Sequence, residues 1–101
     1  MKIVSLSNAP RVSVNLEGYK MHSSASLEVI HLCLQPGQDI LQHANPFDVV
    51  ISVIKGKVTM NMGENKIQLA LYDTTEIKKG MDRGFTNFGT EEARLIIIKK
   101  L

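Results

Sequence analysis

The chain has 101 residues and a formal net charge of +2, enough for one domain with a modest core. Apolar residues make up 44% of it, which excludes a disordered chain, and its Lys and Arg residues are scattered apart from Lys78-Lys79 and Lys99-Lys100. With two Tyr, three Phe and no Trp there is no dense basic, aromatic-laced face for nucleic acid, and no stretch approaches the roughly 18 apolar residues of a membrane span.

No partner of either kind is therefore expected, and without a charged start followed by a long apolar run the expected location is cytoplasmic. Helical periodicity is absent. Val, Ile, Leu and Thr dominate short runs that turn residues interrupt about every 8–12 positions, the pattern of an antiparallel sandwich or barrel.

In chain order, Val12–Asn15 and Tyr19–His22 are expected as strands divided by a Glu17-Gly18 turn, and Ser23 to Ser26 as a loop. Leu27–Leu34 follows and ends at Pro36-Gly37, then Asp39–His43 ends before Pro46. Val49–Ile54 stops at Gly56. Lys57–Met62 and Lys66–Ala70 form a hairpin across Gly63-Glu64-Asn65. Thr74–Ile77, Arg83–Phe88 and Arg94–Lys99 complete the set, with Gly56 and Gly80 at turns that need a permissive backbone. The run Ile96-Ile97-Ile98 predicts a strand covered on both faces, by the barrel interior on one side and by a second sheet or a partner subunit on the other.

Single residues have competing readings. Cys33, the only cysteine, lies in the apolar run HLCLQ and reads as a buried inert thiol rather than a nucleophile. His31 is either a hydrogen-bonded core or interface residue or a pocket residue, and His22 is exposed at a loop edge. Met60 and Met62 share a strand face and read as core.

Residues 36 to 56, PGQDILQHANPFDVVISVIKG, resemble the first cupin motif: a Gly, five residues, His-x-His, three or four residues, a Glu, six residues and a Gly. Gly37, His43 and Gly56 hold that spacing, while Asn45 replaces the second His and Val49 the Glu. Residues 72 to 87, YDTTEIKKGMDRGFTN, resemble the second motif: Gly, five residues, Pro-x-Gly, two residues, His, three residues, Asn. Gly80 and Asn87 match; Tyr72 replaces the Gly, Lys78 the Pro and Arg83 the His. The resemblance spans about residues 27 to 100. It implies an all-β double-stranded β-helix, the jelly-roll barrel of the RmlC-like cupins, as one domain over residues 1–101, with an N-terminal arm and edge strands over 1–26 and the barrel core over 27–100.

The cupin pattern supplies three His and one Glu to a divalent transition metal, and this chain keeps only His43 of the four. Arg83 adds a permanent positive charge at the third His position. No cofactor is therefore expected. A metal, if present, would use His43 and Asp48, and Asp48 would reach inward only through a bulge, since one step along a strand reverses the face. Otherwise Asp48 caps the start of its strand and meets solvent or a Lys.

Parity along the strands, with the resemblance fixing which face is inward, predicts Val49, Ile51, Arg83, Phe85 and Asn87 toward the interior, with His43 and Asn45 beside them. The candidate ligand site is thus His43, Asn45, Arg83, Phe85 and Asn87, suited to a small carboxylate gripped by the guanidinium fork. Other readings stay open: a metal-free enzyme like the sugar epimerases, with His43 as base and Arg83 stabilising an enolate; a metal-dependent isomerase or dioxygenase; or a structural, partner-binding or sensor barrel. Edge strands and surplus apolar runs predict a homodimer.

Overall fold

Alternation decides which face each segment buries. In Asp48–Lys55, Val49, Ile51 and Val53 are each 1% exposed or less, while the residues between them stay partly open. The same period runs through Leu27–Leu34, which buries Ile30, Leu32 and Leu34, and through Ala93–Lys100, which buries Ala93 and Leu95.

The computed structural model describes residues 1–12 and 15–101. Among them are nine strands and no helix: β1 (Glu17–Ser23), β2 (Leu27–Leu34), β3 (Asp39–His43), β4 (Asp48–Lys55), β5 (Val58–Met62), β6 (Asn65–Leu69), β7 (Thr74–Ile77), β8 (Arg83–Thr86) and β9 (Ala93–Lys100). They form two antiparallel sheets, one ordered β1-β2-β9-β4-β7 and the other β3-β8-β5-β6. This is the expected all-β double-sheet barrel.

The expected strand Val12–Asn15 falls partly on residues 13 and 14, which lie outside the described residues. Val12 and Asn15 themselves are not in a strand, and Arg11 makes an isolated antiparallel bridge to Tyr19. The expected strand Arg83–Phe88 stops at Thr86, because Asn87 turns its side chain onto the loop that follows and Phe88 points out, 68% exposed.

The core lies between the sheets. Ile51, Val53, Leu34 and Leu95 of one sheet face Val58, Met60, Leu69 and Phe85 of the other. Each such side chain contributes about 1.5–3 kcal/mol by leaving water. β9 occupies the centre of its sheet, between β2 and β4, with Ile97 against the core and Ile96 and Ile98 half-buried on the outer face. Met60 is core and Met62 packs against it, as their spacing predicts.

Two glycines hold the barrel closed. A Cβ on Gly56, which has φ +66°, would stand 2.5 Å from the Glu92 carbonyl oxygen. A Cβ on Gly84 in β8 would stand 2.4 Å from the Ile40 carbonyl oxygen of β3. Glycine at 84 lets β3 lie this close to β8, where the pairing slips between Ile40 and His43.

Candidate ligand cavity

One end of the barrel opens into a cavity of about 240 Å³ between the sheets. Ile30 and Leu32 of β2, Ile40 of β3, Ile51 of β4, Phe85 of β8 and Ile97 of β9 form its apolar walls. Arg83, His43, Asn45 and Lys99 supply its polar groups, and no carboxylate lines it among the described residues. Val12 and Leu16 of the N-terminal arm also border it.

Arg83 opens β8 and is 3% exposed. Its Nη1 donates to the His43 main-chain oxygen at 3.0 Å, and its Nε is buried with no hydrogen-bond partner. It makes no ion pair among the described residues. Burial pushes its pKa down, with Asp82 acting in the opposite direction, but a guanidinium stays charged in a protein. The cavity thus carries a fixed positive charge with unfilled donor capacity, a state that costs free energy unless water or an anion answers it.

The other candidates divide. His43, paired with Arg83 in the β3–β8 register, lines the same cavity; its ring is exposed and its Nδ1 lies 3.1 Å from the Leu41 oxygen. Asn45 lines the cavity while its carbonyl accepts from Gly80 N–H at 2.9 Å, tying the two motif loops together. Phe85 forms the wall. Asn87 does not join them. It lies 1% exposed at the other end of β8, where its Nδ2 donates to the Leu34 and Glu91 oxygens and its Oδ1 accepts from Gly89 N–H, each at 2.9 Å. All of these bonds are to main chain, so Asn87 is a loop clamp. Its inward parity holds; its distance along the barrel takes it out of the site.

Asp48 takes the capping position. Its Oδ1 accepts from the Lys79 N–H at 2.9 Å and its Oδ2 stands 4.0 Å from Lys78 Nζ, so it does not line the cavity. The residues present therefore do not fit a transition metal. His43 is the one imidazole in the cavity, Arg83 would repel a cation, and no group of three or more His, Cys, Asp or Glu converges anywhere among the described residues.

Lys99 belongs to the cavity and was not among the candidates. Its position two beyond Ile97 on β9 puts it on the inner face, so alternation was the signal that could have found it. Its Nζ is 3.4 Å from Glu28 Oε1, a carboxylate whose other oxygen lies 3.5 Å from Lys20 Nζ, and 5.8 Å from the centre of the Phe47 ring.

A second polar group lies on the outer face of the five-stranded sheet. Arg94 Nη1 donates to His31 Nε2 at 3.0 Å, which requires a neutral imidazole with its proton on Nδ1. Burial, then Arg94, lowers the His31 pKa. Cys33 donates to Glu92 Oε2 at 3.3 Å, and burial followed by that bond pushes the thiol up to about 11. The thiol is the weakly nucleophilic form of cysteine, and Cys33 is fully buried.

No family model and no curated protein matches the chain. Solved structures do, and they define its class. An uncharacterized conserved protein with a double-stranded β-helix domain from Klebsiella pneumoniae superposes with a TM-score of 0.84 at 21% identity, over 99% of this chain and 90% of that one. An RmlC-like cupin from Shewanella frigidimarina gives 0.84 at 15% identity, over 99% and 90%. The polyketide cyclase RemF from Streptomyces resistomycificus gives 0.85 at 12% identity, over 99% and 79%. The chain has the cupin fold.

Proposed function

We propose that this cupin-fold chain binds a small carboxylate in the barrel without a transition-metal centre. The observation that carries the reading is the buried guanidinium of Arg83, whose Nε has no hydrogen-bond partner and whose side chain lines a cavity that no acid lines among the described residues. A carboxylate offers the guanidinium two acceptor oxygens and the negative charge that the cavity lacks. His43 and Asn45, on the same cavity, position its rim. The test is binding calorimetry against a panel of small carboxylates with the native protein and Arg83→Ala. Binding that the substitution leaves unchanged would remove Arg83 as the anchor. Metal analysis showing one stoichiometric transition metal on His43 would overturn the metal-free reading.

A second reading is acid–base catalysis, favoured by His43 and Arg83 lining one cavity. His43 would take a proton from the carbon beside the carboxylate while Arg83 stabilised the enolate. Solvent deuterium entering the α-carbon of a bound carboxylate, and ceasing in His43→Gln, would establish it over binding alone.

We propose also that the chain is a homodimer. On the outer face of the five-stranded sheet Val29, Ile98 and Val50 are cross-strand neighbours, with Ile96 beside them, all partly open to solvent. Ion pairs of Lys100 with Glu76 and of Arg94 with Glu17 flank this patch, so a second copy turned about a twofold axis brings charges of both signs to it. Light scattering is expected to give twice the chain mass of 11.2 kDa at micromolar concentration, and a monomer there would overturn the assignment.

A further inference from the structure

The cavity restricts which carboxylate can occupy it. We infer that the occupant is a monoanion with an apolar body, a carboxylate of about eight heavy atoms rather than a dicarboxylate or a polyhydroxylated acid. This rests on the carboxylate-binding reading above and goes further, to the chemistry of the rest of the ligand.

Charge decides the first half. Two cationic side chains line the cavity, and they differ in how they are answered. Lys99 has Glu28 at 3.4 Å, a carboxylate it shares with Lys20 at 3.5 Å, whereas the one hydrogen bond of the Arg83 guanidinium goes to a neutral carbonyl, that of His43. Asp82 acts on Arg83 through space but forms no ion pair with it among the described residues, so a single carboxylate in direct contact supplies the partner that the guanidinium lacks. A second carboxylate on the ligand would have to leave water for apolar wall, or compete with Glu28 for Lys99.

The walls decide the second half. Ile30, Leu32, Ile51, Phe85 and Ile97 present hydrocarbon and no hydrogen-bond group to the interior. A ligand hydroxyl turned toward them would be stripped of water and left unpaired, whereas a methylene chain or a small ring gains by the burial. Size follows from volume. The cavity is open at the mouth, so its volume sets how much of the ligand it encloses: at roughly 30 Å³ for each water of the liquid, 240 Å³ encloses about eight such volumes, the bulk of a six-carbon acid.

The test is a matched six-carbon series on the native protein: hexanoate, adipate and hexan-1-ol, with malate and inorganic phosphate as polar anions, followed by calorimetry. Hexanoate is expected to bind at least about tenfold more tightly than adipate or hexan-1-ol. Adipate, malate or phosphate binding as tightly as hexanoate or more so would overturn this inference and leave the anion site standing. Hexan-1-ol binding as tightly as hexanoate would overturn both, since the charge would then contribute nothing. If no member of the series binds, both readings fail. A cavity-filling substitution at half-buried Ile40, Ile40→Phe, gives a control that leaves Arg83 in place. It is expected to weaken hexanoate more than acetate, and an equal effect on the two acids would place the hydrocarbon chain outside the cavity and overturn the inference.

Discussion

Arg83 Nη1 donates to the main-chain oxygen of its cross-strand partner His43 at 3.0 Å, while Arg83 Nε, buried beside it, donates to nothing. A side chain kept for stability would have its donors filled. Here the charge has been taken out of water against one neutral acceptor, which works against folding. Arg83→Met keeps the length and apolar stem and removes the charge. It is expected to leave the ligand-free protein as stable as native, or more stable by about 1–2 kcal/mol, while abolishing carboxylate binding. Urea unfolding measures the first and calorimetry the second. A loss of more than about 2 kcal/mol would make Arg83 a structural residue.

Gly84 sits between Arg83 and Phe85, and the atoms that its missing Cβ would meet are main chain: Ile40 O at 2.4 Å and Gln42 N at 2.9 Å. Neither can swing aside as a side-chain tip would, so Gly84→Ala must push β3 away from β8. The expected cost is about 2–3 kcal/mol, and because His43 ends β3, carboxylate binding should weaken as well. Unchanged unfolding in urea would mean that β3 yields freely.

The strands were legible because alternation and turn residues agree: all nine begin and end within about two residues of their expected bounds, although β1 opens on the Glu17-Gly18 pair expected as a turn, and the cupin motif spacing placed Arg83 and His43 at one cavity. Asn87 shows the limit of parity. Parity fixes a side chain's face but not its height along the barrel, and four residues of β8 carry Asn87 from the mouth to the far loop. Lys99 escaped for the opposite reason, since a terminal lysine reads as solvent-facing until the pairing with β2 places it opposite Glu28. The Gly84 contact depends on how closely β3 approaches β8, which no local pattern in the sequence encodes.

Tyr72 occupies the opening glycine position of the second cupin motif, and its φ of +71° shows why glycine suits that place. The turn cannot relax around it, since Tyr72 N–H donates to Val53 O at 2.8 Å and Asp73 N–H to Ala70 O at 3.0 Å. The ring is 77% exposed, so little packing is lost with it. A left-handed L-residue costs about 1–2 kcal/mol, and glycine's freer unfolded chain returns part of that. Tyr72→Gly is expected to raise stability by about 0.5–1 kcal/mol and Tyr72→Ala to leave it unchanged or lower it. Thermal and urea unfolding of the three proteins decide the matter; a less stable glycine variant would mean that the ring has a packing role.

Glu92 sets the acid limit of the fold. Lys55 first, then Arg94 and the Cys33 thiol, hold its carboxyl down at about 2, from an ordinary 4.5. The Lys55 Nζ lies 2.7 Å from Oε1, Arg94 Nε 3.2 Å from the same oxygen, and Gln35 Nε2 3.3 Å from Oε2, so one carboxylate joins the end of β4, the start of β9 and the residue after β2. Because the folded pKa is depressed, the unfolded chain binds the proton first on acidification. The stabilisation is therefore complete above about pH 4.5 and is lost as pH falls through about 2. Glu76, lowered by Lys100 and Lys78, adds a contribution of the same sign. The melting temperature should fall steadily from pH 5 to pH 2. Glu92→Gln should lower it at pH 7 and flatten the decline, leaving the slope that belongs to Glu76. A variant whose melting curve stays parallel to the native one across that range would show that Glu92 titrates alike in both states and ties nothing together.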